Sequence, residues 1–178
     1  MCKQKSCLGF KGGIYFPMDN DNHSEMLNDR GCSDTNPFPN FVKLEIYPDD
    51  ENLFDHRPEV WTLHVDQDRV PEWFDFEKTQ QELREVYLPK WWAERFIINR
   101  EVGEITDGIW YLGCGGTLHN MRGGILRNMR GGTLQDMRGG ILRNMHGGIA
   151  INRNEQKIYV PNNSELTLVK FGDLKASE

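Results

Sequence analysis

The sequence predicts a mainly β protein, in which a small α+β N-terminal head is followed by a short β-solenoid built from eight-residue repeats, two repeats per coil. Residues 115–154 repeat one eight-residue pattern four times and then once more in a weakened form. Two glycines begin every unit, which disfavours a helix. Upstream, short alternating segments predict strands and one segment rich in Glu, Gln, Lys and Arg predicts a helix. These observations define the fold class.

The repeated units are short enough to indicate how each coil is built. They are GGTLHNMR, GGILRNMR, GGTLQDMR and GGILRNMH, followed by GGIAINRN. Gly-Gly followed by a five-residue stretch predicts a turn and then a strand. Helical solenoids use units of roughly 33–47 residues, so a period of eight favours a β-solenoid. At ~3.3 Å per residue, eight residues are too few to enclose side chains, and two units per coil are therefore predicted.

A second period of sixteen residues supports the two-unit coil. The third position alternates between Thr and Ile, and the fifth alternates less regularly between His or Gln and Arg. In a coil of two units, identical or similar residues of successive coils lie on top of one another, so that Arg127 lies on Arg143 at the strand spacing of ~4.8 Å. A coil of three units would place Thr on Ile, and we rank this alternative second. A recent tandem duplication would also produce the alternation.

Two invariant apolar columns predict the core of the solenoid. They lie three positions apart, so a flat strand cannot point both inward, and the backbone must bend at the Asn or Asp between them. Methionine packs adaptably, and we interpret its column as core rather than as a metal-binding or partner-binding stripe. The columns are Leu118, Leu126, Leu134 and Leu142, and Met121, Met129, Met137 and Met145.

Four segments are predicted along the chain. Residues 1–40, rich in Asn, Asp, Gly and Ser, are a loosely structured arm with a short strand near residues 13–16. Residues 41–100 form the α+β head and residues 101–156 the solenoid. Residues 157–178 form a cap hairpin and tail, since an open solenoid end exposes strand edges.

The head is expected to contain two strands and one main helix. Residues 41–47 and 60–65 alternate as strands do. Residues 76–87 favour a helix, which Leu88-Pro89 should break before residues 90–96 restart it.

Composition and cysteine usage favour a cytoplasmic protein. No run of 18 apolar residues predicts a membrane span, and the N-terminus has no apolar stretch typical of a signal peptide. The four cysteines have no disulfide-rich spacing. The chain has a formal net charge of −6, yet residues 115–148 carry five arginines against Asp136 alone. An acidic first half therefore precedes a basic solenoid.

The arginines of the solenoid are the main candidate site. Stacked arginines can bind an acidic protein surface or phosphates, and they can also be a solvated row that protects strand edges. The net acidity of the whole chain argues against strong nucleic-acid binding. Trp91 and Trp92 are interpreted as packing within the head or against the solenoid, with a protein-binding patch as the alternative. The candidate partner-binding residues are Arg122, Arg127, Arg130, Arg138, Arg143, Trp91 and Trp92.

Other clusters are weaker candidates. The carboxylates of residues 66–77 form a solvated acidic face in our interpretation, although paired carboxylates can also bind a metal or perform acid–base chemistry. Cys2, Cys7, His23 and Cys32 do not have the spacing of a zinc finger. No nucleophile–base pair and no phosphate loop stands out. We therefore predict no catalytic residues, no metal and no cofactor.

The tandem GG[TI]Lx[ND]M[RH] units behind a short head resemble short-repeat β-solenoid accessory proteins of phages and prophages. The segment WTLHVDQDRVPEWFD at residues 61–75 resembles the heads that precede such arrays. The resemblance covers residues 61–154. It implies a small accessory protein of the bacterial host cytosol, and by analogy an inhibitor of a host defence complex such as a CRISPR effector. It carries no catalytic residues.

Three functions follow as hypotheses. The first is a non-enzymatic protein that binds a bacterial host protein or ribonucleoprotein complex. The second is a nucleic-acid binder that uses the arginine rows, and the third is a structural module that forms homo-oligomers. An enzyme located in the head is the fourth and least favoured alternative.

Overall fold

The computed structural model describes residues 5–34 and 40–152, together with the backbone of the strands at 157–162 and 165–170. It is mainly β, with 44% of residues in strands and 21% in helices. The chain divides into two compact units, Met1–Ala93 and Glu94–Glu178. The predicted mainly β class with a solenoid is confirmed, and the solenoid has about 3 turns.

The N-terminal unit is built on a four-stranded antiparallel sheet. Its strands are β1 Lys5–Phe10, β2 Gly13–Tyr15, β3 Phe41–Pro48 and β4 Trp61–Val65. Their order in the sheet is β2-β1-β3-β4. The central strands β1 and β3 pair along their length, from Lys5 opposite Ile46 to Phe10 opposite Phe41. The two strands predicted near residues 41–47 and 60–65 are β3 and β4, preceded by a 3₁₀ turn at Pro58–Val60.

Helix α1, His23–Asp29, lies in the segment that was predicted to be loosely structured. Asn22 caps it by accepting hydrogen bonds from the backbone N–H groups of Ser24 and Glu25. Its Met26 and Leu27 are buried in one cluster with Leu8 and Phe41. The short strand predicted near residues 13–16 is confirmed by β2, whereas the loose structure predicted around it is wrong for β1 and α1. The density of Asn, Asp and Ser suggested a loop, but asparagine is also among the best helix caps.

A buried lysine also orders the chain after β2. Lys5 is 1% exposed, and its ammonium donates to the Asp21 carboxylate at 2.7 Å and to the Asn20 carbonyl at 3.1 Å. A buried charge needs such partners, so the loop is held against the sheet by the residues that neutralise it. Residues 1–4 and 35–39, which include Cys2 and the Pro37 and Pro39 pair, lie outside the described residues.

The helical part of this unit continues through the proline that was predicted to interrupt it. Helix α2 spans Phe76–Glu82, a π-helical turn spans Leu83–Tyr87, and α3 spans Leu88–Arg95. Asp75 caps α2 by accepting from the N–H of Lys78. The break predicted at Leu88-Pro89 is wrong. Proline has no backbone N–H and so removes one hydrogen bond from a helix. The helix passes through Pro89 because the turn before it is already π-helical, with the Leu88 N–H donating to the Leu83 carbonyl oxygen.

The second unit is a parallel β-solenoid in which most paired residues are sixteen positions apart. Thr117 pairs with Thr133, and Ile125 pairs with Ile141. The interval is seventeen for Leu112 with Met129 and for Arg130 with Gly147, where the register shifts. The strands are β5 Phe96–Ile97, β6 Glu101–Ile105, β7 Ile109–Leu112, β8 Thr117–Met121, β9 Ile125–Met137 and β10 Ile141–Asn152.

The strands form two ladders. The first ladder contains β6, β8 and the C-terminal halves of β9 and β10. The second contains β5, β7 and the N-terminal halves of β9 and β10. Strands β9 and β10 contribute to both ladders, and a glycine pair lies between the two halves of each strand.

The core of the solenoid consists of the predicted leucine and methionine columns. Leu118, Leu126 and Leu134 are fully buried, as are Met121 and Met129. Met145 is 5% exposed, whereas Met137 and Leu142 are partly buried against the same cluster. Interpreting both columns as core is therefore confirmed.

The solenoid begins earlier than residue 101. Phe96 and Ile97 pair with Tyr111 and Leu112, and Ile97 is fully buried in the solenoid core. Assigning residues 96–100 to the head is wrong. In β6, Val102 and Ile105 occupy the positions of Leu118 and Met121, within the part of the chain predicted to be solenoid. No Gly-Gly precedes Phe96 and Ile97, so the repeat pattern did not show that β5 belongs to the array.

The C-terminal strands extend the second unit with an antiparallel hairpin. Strand β11, Lys157–Asn162, pairs with Ala150–Asn152 of β10, and β12, Glu165–Lys170, pairs with β11. Residues 153–156, 163–164 and 171–178 lie outside the described residues, including the predicted tail. Within the described part of the chain, no helix is both long and apolar enough to cross a membrane.

Close stacking of the coils predicts that Gly116 cannot be replaced. A methyl group there would lie 2.1 Å from the carbonyl oxygen of Ile97, and backbone atoms cannot move aside as a flexible side chain can. We expect Gly116→Ala to lower the free energy of unfolding by about 1–3 kcal/mol, as overpacking does. Chemical denaturation followed by circular dichroism measures this change.

The matched control is Gly103→Ala in β6, where no atom lies within 4 Å of the added methyl. This variant should be neutral or more stable by up to roughly 1 kcal/mol, since glycine weakens a strand interior. Equal losses in the two variants would contradict close contact between neighbouring coils.

Candidate functional site

The two ladders present outer faces of different chemistry. Inward leucines alternate with outward residues at the third and fifth positions of each unit. On the first ladder these outward residues form a face that we call the Thr/His face, made of Thr117, His119, Thr133 and Gln135. On the second ladder they form the Ile/Arg face, made of Ile125, Arg127, Ile141 and Arg143. The sixteen-residue period therefore separates two surfaces.

The Thr/His face is hydrogen-bonded within itself. The two ring nitrogens of His119 lie 2.8 Å from Gln135 Oε1 and 3.1 Å from Glu101 Oε2, so a row of polar side chains crosses three coils. The hydrogen bond with Gln135 raises the pKa of His119 above its ordinary value, and the bond with Glu101 adds to the shift. The protonated ring donates to both oxygens at once.

Two of the five candidate arginines are paired with carboxylates of the solenoid. Arg122 Nε lies 2.7 Å from Glu104, and Arg138 Nε lies 2.8 Å from Asp136. Both arginines follow a first-ladder methionine, at the turn that leads into the second ladder. An acidic partner would have to compete with these carboxylates for the two guanidinium groups. We therefore expect Arg122 and Arg138 to bind a partner less strongly than their solvent exposure suggests.

The Ile/Arg face stacks two arginines. Leu126 pairs with Leu142 and Asn128 with Asn144, so Arg127 and Arg143 between them lie on adjacent strands at the same position. Arg143 is exposed and Arg127 is half-buried. Asn144 Nδ2 donates to Asn128 Oδ1 at 3.1 Å, a hydrogen bond that links the same two strands.

Isoleucines lie next to these arginines. Ile109, Ile125 and Ile141 form one in-register column of the second ladder. Ile141 is 52% exposed, which is unusual for a large aliphatic side chain. The face thus combines an apolar column with a cationic pair on a regular β surface.

Arg130 occupies the opposite turn of the coil. It is exposed, as is His146 sixteen residues later. Gly147 pairs with Arg130, and the ladder is irregular here, with register shifts on both sides of Gly147. Arg130 and His146 therefore lie at the turn between the two ladders and do not belong to the Ile/Arg face.

The two tryptophans do not form a partner-binding patch. Trp91 and Trp92 are 1% and 7% exposed, and their rings lie 5.9 Å and 5.6 Å from that of Trp61. Proposing them as partner-binding residues is wrong, because a buried ring cannot contact a partner while the unit stays folded. The interpretation as packing within the N-terminal unit holds.

The acidic residues that follow β4 are solvent-exposed. Asp66, Asp68, Glu72, Asp75 and Glu77 are all exposed, as expected for a solvated face. Asp75 is also the cap of α2. The Asp66 carboxylate also contacts a histidine, which the sequence did not suggest: Asp66 Oδ2 lies 3.2 Å from His23 Nδ1.

The structure does not support the cysteine-based zinc hypothesis. Burial raises the pKa of the Cys7 thiol to about 12, so this residue stays protonated and is a poor metal ligand. Cys2 lies outside the described residues. Among the described residues, His23 is grouped with Glu45 and Asp66 rather than with a cysteine. Three residues so far apart in sequence give no local motif.

The N-terminal unit also contains a cleft of about 490 Å³ next to the β1–β2 turn. Both lysines and carboxylates line it, so its charge does not select a cationic or an anionic ligand. Trp73 and Phe74 supply an apolar wall. The cleft residues include Lys11, Lys78, Asp75 and Glu82.

Comparisons with protein-family models, with curated proteins and with solved structures each returned no match.

The hydrogen-bonded row of the Thr/His face makes a prediction about proton binding. An NMR titration of His119 should give a pKa above 6.5, because Gln135 and Glu101 both accept from the protonated ring. Glu101→Gln should lower that pKa, since the carboxylate is replaced by a neutral group. Because the pKa of His119 is higher in the folded than in the unfolded chain, the protonated ring stabilises the fold. This stabilisation is present at low pH and is lost as the pH rises through the folded-state pKa.

Glu104→Gln is the matched control, since it removes the same charge from the same strand but from the ion pair with Arg122. It should change the His119 pKa less than Glu101→Gln does. Equal shifts in both variants would assign the effect to net charge rather than to the hydrogen bond.

Proposed function

We propose that this protein is a non-enzymatic binding protein whose Ile/Arg face contacts an acidic surface of a partner protein or ribonucleoprotein complex. The observation that carries the proposal is the in-register stacking of Arg127 on Arg143 beside the exposed Ile141.

The arginine pair concentrates positive charge on one part of the face. Arg127 and Arg143 lie at the same position of adjacent strands, which are ~4.8 Å apart. A carboxylate or phosphate can accept two parallel hydrogen bonds from a guanidinium group. We therefore expect this arrangement to favour an anionic partner.

The isoleucine column favours a protein over a bare polyanion. A nucleic-acid backbone offers phosphates but no apolar surface, whereas protein interfaces combine apolar contacts with arginine at their centre. Ile141 and Ile125 adjoin the arginine pair on the same face. A partner with an apolar patch beside carboxylates fits this surface best.

The finer architecture belongs to the same proposal. We infer that two eight-residue units form each coil, which is why isoleucine and arginine recur together on one ladder, and that the N-terminal unit is a head preceding the array. The resemblance to phage repeat proteins favours a host defence complex in the bacterial cytosol as the partner. By analogy, binding would inhibit that complex.

The test is affinity capture from a bacterial lysate, with and without nuclease, followed by quantitative mass spectrometry. The variant Arg127→Gln/Arg143→Gln should lose at least tenfold of a stoichiometric, nuclease-resistant partner, because it removes the stacked cations. Its fold should be retained, since both side chains lie on the outer face of the ladder. Circular dichroism and the melting temperature check this point.

The control Arg122→Gln/Arg138→Gln removes the same number of charges from the edge that already holds ion pairs. It should retain most of the partner. Partner recovery that survives in the Arg127/Arg143 variant would overturn the assignment of this face. Recovery that depends on nucleic acid and falls steeply with salt would identify a nucleic-acid binder instead.

A further inference from the structure

We propose that His23, Glu45 and Asp66 bind a divalent transition-metal ion of the zinc class. The three residues come from the start of α1, the middle of β3 and the position after β4. One ligand atom from each lies within 4.8 Å of the other two. Tetrahedral zinc with nitrogen and oxygen ligands at ~2.0–2.2 Å requires ligand atoms ~3.3–3.6 Å apart, so small side-chain movements suffice.

The hydrogen bond of His23 orients its ring as metal-binding histidines are oriented. His23 Nε2 lies 3.0 Å from the Leu44 carbonyl oxygen, which can only accept, so Nε2 carries the proton. In this tautomer a neutral ring presents the lone pair of Nδ1 towards Asp66 Oδ2, and the two atoms are 3.2 Å apart. Two lone pairs facing each other need a cation or a proton between them. Metal-binding histidines commonly donate their other N–H to a backbone carbonyl in this way.

The carboxylates add charge that a divalent ion would neutralise. Glu45 is 9% exposed and His23 is 6% exposed, so charge at this position is only weakly screened by water. Asp66 has a side-chain exposure of 54%, which leaves the site accessible from solvent. Three protein ligands leave a fourth position of a tetrahedral ion for water or for another donor.

The surrounding structure holds the ligands in place. Glu45 lies in β3 between Ser6 of β1 and His64 of β4. The backbone N–H of Asp66 donates to the Lys43 carbonyl at 2.8 Å, and this bond continues the pairing of β4 with β3. Asn22 caps the helix at the residue before His23. The site is therefore built on regular structure rather than on an open loop.

The ligand set also indicates the class of ion. An imidazole nitrogen disfavours Mg²⁺ and Ca²⁺, which prefer oxygen ligands only. One imidazole with two carboxylates suits Zn²⁺ and its neighbours among the divalent transition metals.

The experiment is calorimetric titration of the chelator-treated full-length chain with ZnCl₂, with CoCl₂ as a spectroscopic probe. We expect one ion per chain and a higher melting temperature in its presence. Bound Co²⁺ should lack a thiolate charge-transfer band, which separates this site from any binding to cysteine. MgCl₂ should produce no comparable shift of the melting temperature.

Asp66→Asn should weaken Zn²⁺ binding at least tenfold, because it replaces an exposed ligand without altering side-chain size. Asp68→Asn is the matched control: it removes the same charge two residues away, at an exposed residue outside the three-residue group, and should bind as the wild type does. Absence of stoichiometric binding by the folded chain would overturn the proposal and leave a His23–Asp66 ion pair as the explanation of the geometry. Equal affinity in Asp66→Asn and wild type, or a thiolate band with Co²⁺, would overturn it as well.

Discussion

In-register parallel stacking at an interval of sixteen residues is the constraint on which the solenoid depends. Each strand contributes its backbone groups to the coils on both sides, so the distance between neighbouring coils cannot vary. That distance leaves no room for a methyl group at Gly116, which would meet the Ile97 carbonyl. The same distance brings leucine onto leucine and methionine onto methionine, and these columns exclude water from the interior. The glycine pairs and the apolar columns therefore follow from one geometric requirement.

Stacking also gives the outer surface its chemistry. Because a residue in the regular part of a ladder meets its counterpart from the next coil, a side chain that recurs there forms a row. On the first ladder the row is balanced, with His119 between Gln135 and Glu101. On the second ladder Arg127 and Arg143 lie at the same position of adjacent strands, next to the isoleucine column. A regular array thus produces one face of polar side chains that hydrogen-bond with one another and one face that combines arginine with isoleucine.

The N-terminal unit follows different rules, since its contacts are set by antiparallel pairing and by helices packed on a sheet. Lys5 is buried and held by Asp21. His23, Glu45 and Asp66 meet although 22 and 21 residues separate them along the chain. Such clusters depend on the path of the backbone between strands. They are therefore invisible to a search for repeats or short motifs.

The sequence alone determined the class of the second unit, its core columns and its stacking interval, because these depend on residues at a fixed short spacing. It did not indicate that β5, Phe96–Ile97, belongs to the solenoid, because these residues do not follow a glycine pair. Only the tertiary structure decided that Arg122 and Arg138 are paired with Glu104 and Asp136. It also decided that Trp91 and Trp92 are buried. Burial and ion pairing depend on which distant segments meet, and no local pattern records that.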